Sequence, residues 1–282
     1  MKNSKRDEKI AFFFLFLATL LIVAPVGLII VIIVQKGIGA ITWQFLLDIP
    51  RQGMRAGGIF PAIVGTIYLV TGAIIFSLPI GLLSAIYLSE YAKDNFLNRV
   101  IKLAIVNLAG VPSVVYGLFG LALFVVFFKF GASIIAGSLT LGIMILPIII
   151  TASREALESV PYSFREVSLS LGASKWQTIR HIVLPNAIPG ILTGTILGLG
   201  RAAGETAPIL FTVAAFYLPR LPKSVFDQAM ALPYHLYVIS TQVPNVDEKI
   251  RYGTALVLLA LVLTMNLVAI IIRYQFRKRK KW

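Results

Sequence analysis

The stretch PYSFREVSLSLGASKWQTIRHIVLP, Pro161 to Pro185, is the polar link between two long apolar runs, and its punctuation is that of two short helices separated by a glycine. Ser163 and Glu166 stand at capping-box spacing, and Ser174 with Gln177 repeats it, because a hydroxyl and a Glu or Gln three residues on can satisfy each other's backbone donors. Gly172 is placed to close the first helix in a left-handed conformation. Phe164, Val167 and Leu171 then fall on one face at helical spacing. A short helix with an apolar stripe, held at a membrane surface from both sides, is suited to docking into a groove of a soluble partner.

Working outward, the run before this link covers about Ala132 to Ala152 and the run after it about Pro185 to Phe216. Crossing a bilayer takes roughly 20 mostly apolar residues in a helix. Four more runs qualify, at about Ile10 to Val34, Ile59 to Leu88, Val100 to Phe128 and Tyr252 to Ile272, so the sequence predicts an all-α, polytopic membrane protein of six spans. Composition agrees: 58% of residues are hydrophobic and 13% charged, where a soluble domain has about 25% charged, and the mean hydropathy is +0.87. The first run is too long for the apolar core of a cleaved signal peptide, so it is expected to be retained. The second is too long for a straight crossing and is expected to project beyond the membrane rather than kink at Pro79. Only Lys129 to Gly131 separates the third and fourth, which predicts a tight hairpin.

Lysine and arginine set the orientation. With the N-terminus inside, seventeen basic residues fall in inside segments and eight in outside ones, leaving Arg201 within a span. Both termini are therefore expected in the cytoplasm. The organisation is a tail, first span and external loop over 1–58, a core over 59–272 with the cytoplasmic helical link at about 161–181, and a basic tail over 273–282. The external segment 35–58, with Ile41, Trp43, Phe45 and Leu46, reads as amphipathic and interfacial. Residues 217–251, with four prolines and Tyr234 and Tyr237, read as an irregular surface able to meet a partner. A solvated connector is an equally open reading of both.

Several functions are excluded. The chain has no cysteine and two distant histidines, His181 and His235, which leaves no metal constellation. Its net charge of +14 is not gathered into a basic tract with stacking aromatics, so nucleic acid is not the partner. Gly198, Gly200 and Gly204 are wrongly spaced for a dinucleotide loop, and no glycine loop with a phosphate-binding lysine occurs. The chain is expected to hold no cofactor and to perform no catalysis. Any ATP and magnesium would be bound by another polypeptide.

Arg201 and Glu205 are the only charged residues deep in a span. Four apart, they share a helix face and can pair. Placing arginine at mid-membrane costs about 2.5 to 3.5 kcal/mol even on lenient scales, so a function is the default reading. Guanidinium offers planar donors matched to the oxygens of a tetrahedral anion, and Glu205 would hold it when the pathway is empty. The competing reading is an ion pair that only fixes helix register. In the third span, Pro112 frees backbone groups that Asn107, Ser113 and Tyr116 could satisfy, either at a packing kink or beside a pathway. Gly190, Gly194 and Gly198 recur every fourth residue, a stripe that permits close helix contact.

At Glu166, Val167, Ser168, Gly172, Ile182, Leu184 and Pro185 the link resembles the loop motif of type I ABC importer permeases: Glu-Ala-Ala, three residues, Gly, nine residues, Ile-x-Leu-Pro. Val167 and Ser168 replace the two alanines; the register is otherwise kept. The string Arg201-Ala202-Ala203-Gly204-Glu205-Thr206-Ala207-Pro208 and the Gly110-to-Gly120 segment GVPSVVYGLFG resemble the PstA family of phosphate permeases, and the likeness covers essentially the whole chain. The resemblance implies a type I importer transmembrane domain, with 161–181 as the coupling helix (Ser163, Phe164, Glu166, Val167, Leu171, Gly172) and Arg201, Glu205, Thr206, Asn107, Ser113 and Tyr116 on the substrate pathway. It implies a homologous second permease, ABC ATPase subunits and an extracytoplasmic phosphate-binding protein as partners, inorganic phosphate as substrate, and a prokaryotic plasma or inner membrane as location. The nearest rival is a permease for phosphonate, sulfate or molybdate. An ion-coupled secondary carrier is a further alternative, but it usually shows repeated halves, and none are visible. An intramembrane enzyme would need a nucleophile and base on facing spans.

Overall fold

The computed structural model describes residues 2–278, with side chains described from residue 8 onward. Twelve α-helices follow one another: α1 (Lys2–Gly37), α2 (Trp43–Leu47), α3 (Phe60–Ile86), α4 (Phe96–Ala109), α5 (Ser113–Gly120), α6 (Ile134–Glu158), α7 (Tyr162–Ser170), α8 (Lys175–Thr178), α9 (Leu184–Gly204), α10 (Ala207–Thr212), α11 (Leu232–Thr241) and α12 (Glu248–Lys278). Wider π-helical turns extend α3 over Tyr87–Tyr91, extend α5 over Leu121–Phe127 and join α8 to α9 over Ile179–Val183. Among the described residues, five continuous helices are long and apolar enough to span a membrane, and the pair α4 with α5 makes a sixth if its two parts count as one.

The core is α3, α6 and α9, packed through small residues. A side chain at Gly142 of α6 would meet Phe76 of α3 at 2.6 Å, and one at Gly81 of α3 would meet Ile149 of α6 at 2.7 Å. These pairings rise together along the chain, so α3 and α6 run the same way. The Gly190, Gly194 and Gly198 stripe expected from the sequence lies against Ala156, Ala152 and Ile149 of α6, running opposite, with a Cβ at Gly194 only 2.5 Å from that of Ala152. Helices so matched approach closely enough for dispersion to hold them where lipid offers no hydrophobic drive. α1 meets α12 at its C-terminal end: Gly37 lies against the Tyr252 backbone, and Lys36 pairs with Glu248 at 3.4 Å.

Several expectations are corrected. The third span is not one helix: it breaks at Gly110–Pro112, and its halves are bent by 103°. Proline has no N–H and pushes the residue before it out of the helical region, so a new helix starts after it. The hairpin with α6 is made by the second half alone, through a turn in which Lys129 and Gly131 both have positive φ. The fifth span likewise ends at Gly204, with Glu205 extended before α10 begins. α3, by contrast, continues through Pro79.

Residues 35–58 and 217–251 are each more than a bare connector, though 217–231 is irregular and largely exposed, as the sequence suggests. Residues 35–58 fold as α2, whose N-cap Thr42 accepts from the Phe45 amide at 3.1 Å, and a ribbon of β1 (Pro50–Arg51) and β2 (Ala56–Gly57); Phe45 and Met54 are buried. Residues 217–251 carry α11, whose Leu232, Val238 and Ile239 are fully buried in the main core, and the Leu232 amide donates to Thr66 Oγ1 of α3 at 2.8 Å. The prolines disguise an apolar helix short enough to escape a span-length window. His235 is buried with it, and that burial pushes its pKa down to about 4. The expected basic tail is helical as far as Lys278, and residues 279–282 lie outside the described residues.

Candidate functional site

Two clusters hold the residues singled out from sequence. The first surrounds the end of α9. Helix α9 stops at Gly204, and Glu205 turns away with extended backbone (φ −78°, ψ 136°). Arg201 Nε lies 3.5 Å from Glu205 Oε1, with side chains 31% and 20% exposed. Among the described residues this is the one hydrogen bond or ion pair Arg201 makes, so most of its five donors remain free. Thr206 begins α10, and its carbonyl accepts from the Leu210 amide at 3.1 Å.

The second break lies alongside. α5 rests on the start of α10: a Cβ at Gly117 would be 3.0 Å from the Ala207 carbonyl. At the break itself the Leu108 carbonyl accepts from the Val111 amide at 3.1 Å and from Tyr116 Oη at 2.7 Å. Tyr116 is buried and close enough to Arg201 to interact with it electrostatically. Ser113 opens α5 and is half-buried. Asn107 is exposed on α4, and only its backbone carbonyl takes part, accepting from the Gly110 amide at 3.0 Å. Arg201, Glu205, Thr206 and Tyr116 are thus brought together, and Asn107 is not.

The remaining cluster is the α7–α8 link. Gly172 has φ +84°, the Ala173 amide donates to Ser168 O at 3.2 Å, and the Gly172 amide to Leu169 O at 3.0 Å. These are the paired bonds of a left-handed helix stop. Ser174 and Gln177 form the capping box. Ser163 does not cap: α7 starts two residues earlier than the spacing suggests, at Tyr162 after Pro161, and no side chain caps it. Pro161 takes the N-cap position with non-helical backbone (φ −54°, ψ 136°), which leaves Ser163 exposed in the first turn. Glu166, Val167 and Leu171 are also exposed, Leu171 by 83%. With Phe164, Ser168, Ala173, Ile182 and Asn186, Val167 and Leu171 line a groove of about 500 Å³.

Sequence reasoning missed two features. Arg165 of α7 and Glu90 after α3 form a buried ion pair at 2.7 Å. Seventy-five positions apart, they left no local pattern; a carboxylate closing an overlong apolar run was the one available signal. Asn266 of α12 lies against Gly200, beside Arg201 in sequence, with its Oδ1 buried and unpartnered among the described residues.

A bundle of long apolar helices, with two broken elements beside Arg201 and an exposed helical link between α6 and α9, is that of a multi-pass membrane protein. The chain belongs to the family of binding-protein-dependent transport system inner membrane components, whose model matches residues 77–282, and it is an ABC importer permease subunit. It is 34% identical to the "Probable ABC transporter permease protein YqgI" of Bacillus subtilis over 95% of each chain, and 34% identical to the "Phosphate transport system permease protein PstA 1" of Mycobacterium tuberculosis over 100% of this chain and 90% of that one. Similar folds are found in a bacterial alginate ABC transporter solved with an alginate pentasaccharide-bound periplasmic protein (TM-score 0.64, 16% identity, 99% and 96% of the two chains) and in the inward-facing MetNI methionine ABC transporter (TM-score 0.60, 17% identity, 78% and 94%).

Proposed function

We propose that this chain is one permease subunit of an ATP-driven inorganic phosphate importer, forming half of the pathway. The observation that carries the substrate reading is Arg201: a permanent cation at a helix break, held by one long contact, with free donors in a geometry that suits two oxygens of a tetrahedral anion. Glu205 tempers that charge when no anion is present, and the broken ends at Thr206 and Ser113 supply further polar groups. Relatives named as phosphate permeases, aligned over nearly the full chain, favour phosphate among oxyanions.

The exposed face of α7, with Glu166, Val167 and Leu171, docks into an ABC ATPase on the cytoplasmic side, where the excess of Lys and Arg also places both termini. ATP and magnesium are bound there and not by this chain. A homologous permease completes the pathway, and an extracytoplasmic binding protein delivers the anion. The test is reconstitution of the chain with its co-purifying partners in vesicles. Phosphate should enter only with ATP; uptake of sulfate, molybdate or phosphonate in its place moves the assignment to that anion, and ATP-independent uptake refutes the machine.

A further inference from the structure

The two arginines of the functional clusters differ in how completely they are engaged. Arg201 has one contact at 3.5 Å. Arg165 uses four of its five N–H donors: Nε and Nη2 grip the Glu90 carboxylate at 3.2 and 2.7 Å, Nη2 also donates to the Leu157 carbonyl at 2.9 Å, and Nη1 donates to the Val160 carbonyl at 2.7 Å. Leu157 closes the last turn of α6 and Val160 follows it, so the cation also sits where a helix end concentrates negative potential. The pair is well shielded, Arg165 being 12% exposed and Glu90 8%.

Those contacts join three elements. Arg165 belongs to α7, Glu90 to the π-helical turn that ends α3, and the two carbonyls to the end of α6. The Ser168 and Thr178 hydroxyls, 2.9 Å apart, bind α7 to α8 in turn. Apart from these bonds α7 joins α6 through the short corner Ser159–Pro161, and its Phe164 packs against a buried cluster of Ala85, Ile86, Ala156, Leu157 and Val160 that already holds the ends of α3 and α6 together. The guanidinium adds the directional bonds that fix α7 to both helix ends at once.

We propose that the Arg165–Glu90 pair is a latch that makes α7, α3 and the end of α6 one moving body, so that a push on the exposed face of α7 turns the core helices. Arg165 and Glu90 are positioning residues: neither meets nucleotide or anion. The assignment rests on the reading of α7 as the ATPase-docking helix. Lysine cannot replace Arg165, since one ammonium cannot reach a carboxylate and two carbonyls with the fixed fork of a guanidinium. Exchanging the two charges fails as well, because a carboxylate at 165 would face the Leu157 and Val160 carbonyls.

The test uses the full chain reconstituted with its sister permease, ATPase and binding protein. ATP hydrolysis and uptake are measured for Glu90→Gln, Arg165→Lys and the exchanged double variant, with Gly172→Val as the coupling control. The chain has no cysteine, so spin labels at Leu83→Cys and Tyr162→Cys report the α3-to-α7 distance in the same complexes. Uptake per ATP should fall several-fold while hydrolysis continues. The label distance, sharp with and without nucleotide in the parent, should broaden. If Glu90→Gln fails to assemble, Arg165→Lys decides. Normal uptake per ATP with a sharp distance in the assembled variants overturns the latch; if Gly172→Val uncouples in the same experiment, the docking reading survives. If Gly172→Val is also normal, both fall.

Discussion

Replacing Gly172 separates backbone geometry from steric room at the α7–α8 turn. The residue has φ +84°, and a Cβ built there meets nothing within 4 Å. A side chain therefore costs nothing in overlap within this chain, and the penalty is conformational alone. An L-residue in the left-handed region costs roughly 1 to 2 kcal/mol, and that lowers the population of the closed turn by a factor of about 5 to 30. Asparagine visits this region several-fold more readily than alanine, while a β-branched residue is a true outlier. Order should therefore fall as Gly172, Asn, Ala, Val. Opening the turn breaks the bonds from Ala173 to Ser168 and from Gly172 to Leu169 and frees α8 from the Ser168–Thr178 contact. Hydrogen exchange at the Ala173 amide reads the turn directly, and uptake per ATP in vesicles reads its consequence; both should follow the same order. A Gly172→Asn variant as damaged as Gly172→Val would refute the reasoning, showing that room against the partner and not the sign of φ decides.

Arg201→Gln is expected to abolish phosphate uptake while the assembly still elutes as one complex, and retained uptake would exclude it as the anion's contact. Gly194→Ala drives a methyl to within 2.5 Å of the Ala152 Cβ, which should destabilise the bundle by about 1 to 3 kcal/mol; a thermal shift in detergent measures this, and adding Ala152→Gly should recover most of it. His235 is held at a pKa of about 4, below its ordinary 6.5. An unfolded chain takes up that proton first, so stability is complete above pH 6.5 and declines by up to about 3 kcal/mol as pH falls toward 4. His235→Leu should flatten this acid limb of the melting temperature, and an unchanged limb would show that another group is responsible.

The span count, the glycine stripe and the left-handed stop at Gly172 were legible because each is a local pattern with one physical cause. An apolar run announces a helix that must satisfy its own backbone in lipid, and a four-residue glycine period announces a close crossing. What stayed hidden depends on tertiary partners. Val100 to Phe128 is predominantly apolar, so hydropathy reads one span, while the direction of the chain after Pro112 is set by packing of α5 on α10. α11 was concealed by length, and the Arg165–Glu90 pair by sequence distance. Ser163 misled because Pro161 starts the helix without a hydroxyl.

The breaks also determine what Tyr116 can do. Its hydroxyl donates to the Leu108 carbonyl at 2.7 Å, so its one proton is committed and only oxygen lone pairs remain to face the space near Arg201. Lone pairs repel an anion. The group is therefore better suited to closing the bend between α4 and α5 than to binding a solute. The size of that contribution follows from what else the carbonyl has. Leu108 O also accepts from the Val111 amide at 3.1 Å, so Tyr116→Phe does not orphan it, and the loss is that of one ordinary hydrogen bond, about 0.5 to 1.5 kcal/mol, rather than a full desolvation penalty. The phenylalanine variant should melt slightly earlier and transport phosphate at a rate close to the parent's, in contrast to Arg201→Gln. Loss of uptake with an unchanged melting temperature would show instead that the hydroxyl releases Leu108 during the cycle and donates to the passing anion.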